Sequence, residues 1–283
     1  MDKENAMQPI LSNREFELFR NLIYKTCGIN LAPSKKELVK SRLSKRLTHT
    51  GINSFEEYYR FVTKIDKSGQ EMIHLLDSIS TNKTDFFREK KHFEFLNTKL
   101  LPELITKKEK DRNKKLRIWC AASSSGEEPY TLAMTVLNHV NPENGWDIKI
   151  LATDISTKIL QKAISGVYKK ETVRDVPLRL LASHFARVSV NNSTYYKARD
   201  HLKQLITYRR FNLMTPEFPF KNPFDFIFCR NVMIYFDPET QQRLVSKFYD
   251  CLPKGGYLFI GHSETLSRRV SKFNYIQPAL YQK

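Results

Sequence analysis

The sequence predicts an α/β chain in two parts: a small all-helical domain, then a larger domain built on a mostly parallel sheet with a small β subdomain inserted in it. Three observations carry this. Between residues 10 and 80, apolar side chains recur at three- and four-residue intervals (Phe16, Phe19, Ile23; Phe55, Tyr58, Tyr59, Val62; Met72, Leu75, Leu76, Ile79) without strand-like alternation. From Leu116 onward, apolar runs alternate with helical stretches: LRIWCAA, EEPYTLAMTVLNHV, IKILATD, ISTKILQKAI. Strands alternating with helices pair in parallel through right-handed crossovers. Finally, residues 185–205 (FARVSVNNSTYYKARDHLKQL) contain only short alternating runs, which fit a β excursion.

Taken in order, the helical domain is expected over residues 1–90 and the α/β domain over 91–283, with the β subdomain at about 185–205. The run KKEKDRNKK at 107–115 is too polar to pack and reads as a solvated joint before the first strand. Further strands are expected at 206–211, 224–229, 256–261 and 275–282, the last two as an antiparallel edge.

Composition narrows the function. The 283 residues are 41% hydrophobic and 27% charged, ordinary globular chemistry that excludes collagen-like, low-complexity and wholly disordered readings. Lys plus Arg number 47 against 30 Asp plus Glu, so a net charge of +17 predicts attraction to an acidic partner without saying which, a solvated basic surface being the bland alternative. No apolar stretch reaches the roughly 18 residues of a membrane span, and MDKENAMQPI lacks the apolar core of a signal peptide, so a cytoplasmic protein is expected. Cys27, Cys120, Cys229 and Cys251 stand singly, with no histidine at metal-ligand spacing, so neither a disulfide framework nor a metal site is expected.

In an open α/β sheet, ligands sit beyond the carboxyl ends of the strands, so the loops there should carry the chemistry. After the first strand come Ala121, Ala122, Ser123, Ser124, Ser125 and Gly126, small enough for backbone to approach a ligand, although a plain tight turn would use the same residues. Glu127 and Glu128 then open the next helix, where a nucleotide-binding loop would place phosphates. Carboxylates there can be simple capping, but beside the small-residue loop they favour a ligand carrying positive charge. After the second strand stands Asp154, placed either to accept both hydroxyls of a ribose or to cap the helix near Ser156. The conjunction describes a nucleoside with a cationic tail, S-adenosylmethionine.

Five segments extend the pattern: TNKTDFFR at 81–88, AASSSGEEPY at 121–130, ATDI at 152–155, CRNVMIYF at 229–236 and GHSE at 261–264. With these, nearly the whole chain resembles the CheR-type chemotaxis protein-glutamate O-methyltransferases, and a string as long as CRNVMIYF is far more specific than a loose glycine pattern. The resemblance implies a Rossmann-like S-adenosylmethionine-dependent methyltransferase domain that esterifies glutamates on chemoreceptors, with S-adenosylhomocysteine as product. Carried over position by position, it implies that Asn82, Thr84 and Arg88 contact the cofactor, Arg88 pairing its carboxylate. Ala122 would touch it through backbone, Glu128 would bind the amino group, Asp154 the ribose, and Asn212 and Leu213 would flank the adenine. Arg230, Asn231 and Tyr235 would line the place where donor and acceptor meet, with Arg230 and Tyr235 the catalytic candidates. Some relatives use a glycine-rich loop in the β excursion to grip a receptor's C-terminal tether peptide; residues 186–196 contain no glycine, which argues against tether binding here.

An ionised glutamate needs no strong general base, in keeping with the absence of histidine from CRNVMIYF. The charge surplus suggests an RNA or DNA methyltransferase as the alternative, but the Pro-Pro-aromatic run that accompanies base flipping is missing. A non-catalytic module that only docks on receptors is a third reading, against which the intact Arg88, Glu128, Asp154, Arg230 and Tyr235 speak. The expected partners are the glutamate-rich helical bundles of receptor cytoplasmic regions, with no nucleic acid, no membrane insertion and a monomeric enzyme. Residues 35–47 (KKELVKSRLSKRL) offer a docking helix: Lys35, Arg42, Lys45 and Arg46 share an arc of about 100°, with Val39, Leu43 and Leu47 on the adjacent arc.

Overall fold

The computed structural model describes residues 9–267 and 271–283. Its helical part opens with α1 (Asn13–Cys27), where Ser12 accepts from the Glu15 N–H while the Glu15 carboxylate accepts from the Ser12 N–H, so two N-terminal donors are satisfied reciprocally. Gly28, at φ 76°, closes the helix in the left-handed conformation that glycine adopts without a Cβ clash. Then follow α2 (Lys36–Thr50), α3 (Phe55–Arg60), which continues through a wider turn to Ile65, and α4 (Gln70–Ile79). Phe16, Phe19 and Ile23 of α1, Val39, Leu43 and Leu47 of α2, Phe55 and Tyr58 of α3, and Leu75, Leu76 and Ile79 of α4 are all buried. These are the stripes that the periodicity predicts.

Inside this bundle lies a polar cluster. Arg46 pairs with Glu71 through two hydrogen bonds, Nε to Oε1 at 2.9 Å and Nη2 to Oε2 at 2.8 Å, and the Tyr58 hydroxyl donates to the same carboxylate at 2.7 Å. Arg42 donates to the carbonyls of Ile79 and Ser80, which the end of α4 leaves without helical partners. The expectation that Arg42 and Arg46 present an outward docking face is therefore corrected: their guanidinia are consumed by a buried carboxylate and a helix terminus. Of the four residues, only Lys35 and Lys45 are exposed.

This first unit ends at Thr81 and also takes in Tyr235–Asp237; the second comprises Asn82–Ile234 and Pro238–Lys283. The expected boundary after residue 90 thus falls too late. The basic run at 107–115 is not a joint between the units either: α5 (Lys90–Phe95) leads into α6 (Leu101–Lys110), which carries the first half of that run as its exposed last turn, with Lys108 paired to Asp225 at 2.7 Å.

The rest of the second unit comprises β1 (Lys115–Cys120), α7 (Glu127–Leu137), β2 (Asp147–Asp154), α8 (Thr157–Ser165), β3 (Val167–Lys169), α9 (Leu178–His184), β4 (Phe185–Val190), β5 (Ser193–Ala198), α10 (Asp200–Lys203), β6 (Ile206–Arg210), β7 (Phe226–Phe228), α11 (Pro238–Asp250), β8 (Tyr257–Phe259), β9 (Asn274–Gln277) and β10 (Leu280–Gln282). The main sheet runs β6-β2-β1-β7-β8-β10-β9, parallel from β6 to β8, with β10 antiparallel to both its neighbours. The single strand expected at 275–282 is therefore a hairpin, broken where Ala279 adopts φ 61° after Pro278. Trp119 of β1 is fully buried among Phe211, Phe218, Phe220, Phe224 and Phe248, while Phe86, Tyr130, Tyr168 and Phe185 form a second aromatic cluster.

The β excursion starts earlier than residue 185, because β3 joins it in a three-stranded antiparallel sheet of order β3-β5-β4. Its hairpin turns at Asn191 and Asn192, whose φ values of 47° and 59° are tolerated by asparagine, so a tight turn forms here without glycine. All four cysteines are free and buried. Among the described residues, no helix is long and apolar enough to cross a membrane.

Replacing Arg46 by Ala strands the Glu71 carboxylate inside the bundle. It is expected to cost about 3 kcal/mol in chemical denaturation of the full chain, whereas exposed Lys45→Ala should stay within about 0.5 kcal/mol of the parent.

Candidate active site

The strand ends that carry the predicted residues lie side by side, since β1 pairs with both β2 and β7 and β2 with β6. The small-residue loop after β1 is pinned to its neighbours: the Ala121 N–H donates to the Phe228 carbonyl at 2.7 Å, the Ser123 N–H to the Thr153 carbonyl at 2.9 Å and the Ser124 N–H to Asp154 Oδ2 at 2.9 Å. Ser124 and Gly126 take left-handed φ values of 46° and 98°, and a Cβ on Gly126 would lie 2.7 Å from the Tyr168 hydroxyl, so this turn requires glycine. Ala122 is half-buried in the loop, and the buried Ser123 hydroxyl has no protein partner.

Asp154, buried at the end of β2, accepts from Ser124 N–H and also from Ser156 N–H at 3.0 Å. It does not cap α8, which is the work of Ser156, whose hydroxyl accepts from the Ile159 N–H. Beside Asp154, the Phe211 N–H donates to its carbonyl at 2.9 Å, which brings half-buried Asn212 and buried Leu213 to the same strand end. The Ser124 hydroxyl donates to the Asn82 carbonyl at 3.0 Å, laying the irregular segment that holds Asn82, Thr84 and Arg88 against the loop. The Arg88 guanidinium donates to the Lys83 carbonyl and enters none of the described ion pairs.

The acidic helix start is divided. Glu127 accepts from the Ser125 hydroxyl at 2.6 Å, and its pKa is raised by burial. Glu128 accepts from Arg230 Nη1 at 3.0 Å and from the Cys120 thiol; burial raises its pKa, although Arg230 pulls the other way. Arg230, just beyond β7, has a side chain only 1% exposed and also pairs with Glu89 at 3.0 Å while donating to the Arg88 carbonyl. Glu89 in turn accepts from the Asn231 side chain at 3.3 Å and the His262 N–H at 3.1 Å. Burial would raise Glu89, but Arg230, His262 and Asn231 outweigh it and hold the carboxyl below its ordinary value. Arg230 thus donates from Nε, Nη1 and Nη2 to groups of the chain itself.

Tyr235 belongs with the helical unit, where its carbonyl accepts from the Asn30 N–H at 2.8 Å. Three residues escaped the sequence reading. Glu89 follows Arg88 directly, and Glu264 lies within GHSE, so both were adjacent to or inside recognised segments without carrying a signal of their own. His92 is fully buried, and burial, with Arg230 adding to it, pushes its pKa down to about 3, so it is a neutral imidazole. Glu89, His92 and His262 bring donor atoms within 4.8 Å of one another, but the carboxylate of this trio is the one that neutralises Arg230. The ion-pair network accounts for the cluster.

A parallel sheet with a small-residue loop, an acidic helix start and an aspartate at adjacent strand ends is the arrangement of an S-adenosylmethionine-dependent methyltransferase. The model for the S-adenosylmethionine-binding domain of CheR methyltransferases matches residues 82–281, and that for their all-α domain matches residues 14–80. A chemotaxis protein methyltransferase of Borreliella burgdorferi is 42% identical over 96% of this chain and 95% of its own. A probable chemotaxis protein methyltransferase of Rhizobium etli is 43% identical over 87% and 90%, and the Escherichia coli chemotaxis protein methyltransferase 36% identical over 96% and 91%. The chain belongs to the CheR methyltransferase family.

Because Arg230 separates the buried Glu128 from the half-buried Glu89, Arg230→Ala is expected to destabilise the chain by about 3 kcal/mol or more. Adding Glu89→Gln should recover part of the loss in denaturant unfolding, since one of the stranded charges is then removed.

Proposed function

We propose that this enzyme transfers the methyl group of S-adenosylmethionine to glutamate side chains on the cytoplasmic regions of chemoreceptors, and that it works in the cytoplasm. The observation that carries the cofactor side is the charge arrangement around Arg230. Two carboxyl groups, Glu89 and Glu128, face one guanidinium, so acidic groups outnumber basic ones in the cluster, while Arg88 nearby enters none of the described ion pairs. An amino-acid end carrying both an ammonium and a carboxylate matches that pairing, with Glu128 taking the ammonium and Arg88 the carboxylate. Asp154, at the end of β2, is placed for the ribose hydroxyls, Ala122 offers backbone, and Asn212 and Leu213 flank the adenine, with Asn82 and Thr84 closing the near side. The unpartnered Ser123 hydroxyl in the same loop is in keeping with a ligand there.

The bound cofactor supplies an electrophilic methyl on a sulfonium. The chain's own part is orientation and water exclusion, because a glutamate of ordinary pKa is already ionised at neutral pH and no residue need take its proton. In this reading Arg230 fixes Glu128 and the loop after β7, Asn231 lines the meeting place of donor and acceptor, and Tyr235 packs the acceptor side. Beyond the net charge of +17, nothing favours the nucleic-acid alternative. Receptor docking is carried by exposed Lys35 and Lys45 rather than by the whole basic arc of α2, and the monomeric state belongs to the same proposal. The Asn191–Asn192 turn removes the absence of glycine as a reason for or against tether binding.

Asp154→Ala and Arg88→Ala should each weaken S-adenosylhomocysteine binding by about 2 kcal/mol, some 30-fold, in calorimetric titration; unchanged affinity in both would remove the site assignment. Labelled methyl transferred to receptor fragments should be released as methanol by mild base, as a carboxylate ester is and a methylated amine or base is not. Reversing Lys35 and Lys45 to Glu should raise KM for receptor most at low salt, where screening is weak, and leave cofactor affinity unaltered.

A further inference from the structure

Glu264 stands beyond β8 with 8% of its surface exposed, and its carboxylate grips backbone from two loops. Oε2 accepts from the N–H groups of Asn231 at 3.0 Å and Gly261 at 2.6 Å, and Oε1 from the Ile234 N–H at 3.2 Å. The β7–β8 ladder ends at Phe228 and Phe259, with a last bond from Cys229 N–H to the Phe259 carbonyl, so beyond that point these donors have no strand partner. The carboxylate takes over where the sheet stops.

The loop it grips is unusual in shape. Asn231 sits at φ 58°, in the left-handed region that asparagine tolerates. Behind it, Gly261 packs so closely that an added Cβ would lie 2.4 Å from Asn231 Nδ2 and 2.9 Å from its backbone nitrogen. Arg230 is anchored separately by Glu89 and Glu128. The end of the loop, at the Ile234 N–H next to Tyr235, depends on Glu264.

We propose that Glu264 is a positioning residue for methyl transfer: its carboxylate holds the loop after β7 in the shape that presents Asn231 to the acceptor. This rests on the reading that the loop lines the meeting place of donor and acceptor. Because the cofactor-side charges have their own anchors, losing the grip of Glu264 strikes turnover more than cofactor affinity.

The test is Glu264→Gln, which keeps size and shape but replaces one accepting oxygen by a donor that faces backbone N–H. Turnover on receptor fragments is expected to fall about tenfold or more, while the calorimetric Kd for S-adenosylhomocysteine stays within about threefold of the parent. If the glutamine variant does not fold, Glu264→Asp, too short to reach all three donors, is read by the same two measurements. Turnover within about threefold of the parent would overturn the proposal, as would cofactor affinity falling as far as turnover, the mark of a merely structural role. A parent enzyme that made no base-labile methyl product would instead overturn the underlying reading of the reaction, independently of any Glu264 variant.

Discussion

One guanidinium held between two carboxylates in the interior is the constraint on which the catalytic unit depends. Moving three charges out of water is costly, and each must be repaid by close partners. Arg230 has them in Glu89, Glu128 and the Arg88 carbonyl, contributed by the segment after Thr81, the start of α7 and the loop after β7. Distant stretches of sequence are thereby locked around one atom group. That lock fixes where Glu128 points.

The backbone serves the same end. The loop after β1 is tied to β2 and β7 by three N–H donors, and the loop after β7 is tied to that after β8 by the Glu264 carboxylate. Loops that must hold a ligand without regular pairing are thus immobilised by carboxylates and neighbouring carbonyls. For a reaction that needs alignment rather than a base, this rigidity is the chemistry the protein provides.

Much of this was legible in the sequence. Apolar periodicity and alternation located the helices of the first unit and the parallel strands, and small residues followed by paired acids located the loop after β1 and the start of α7. What escaped depended on partners remote in the chain. A helical wheel gathers Arg42 and Arg46 with Lys35 and Lys45, but only folding shows that Glu71 and the end of α4 take the two arginines. Glu89 and Glu264 carry no signal of their own because their partners include backbone N–H groups, which no residue type advertises. The polar run at 107–115 mimics a linker, while its first half completes a helix. Arg230, expected near the acceptor from the motif, also pairs with an acid on either side.

The central claim is that Glu89 and Glu128 act on the cofactor site as one unit through Arg230. A double-mutant cycle with Glu89→Gln, Glu128→Gln and the double variant, read as S-adenosylhomocysteine affinity by calorimetry, tests it most directly. Residues sharing a buried partner should show a coupling of about 1 kcal/mol or more. Effects that add to within about 0.5 kcal/mol would contradict the account, because two carboxylates joined by one guanidinium cannot be removed independently.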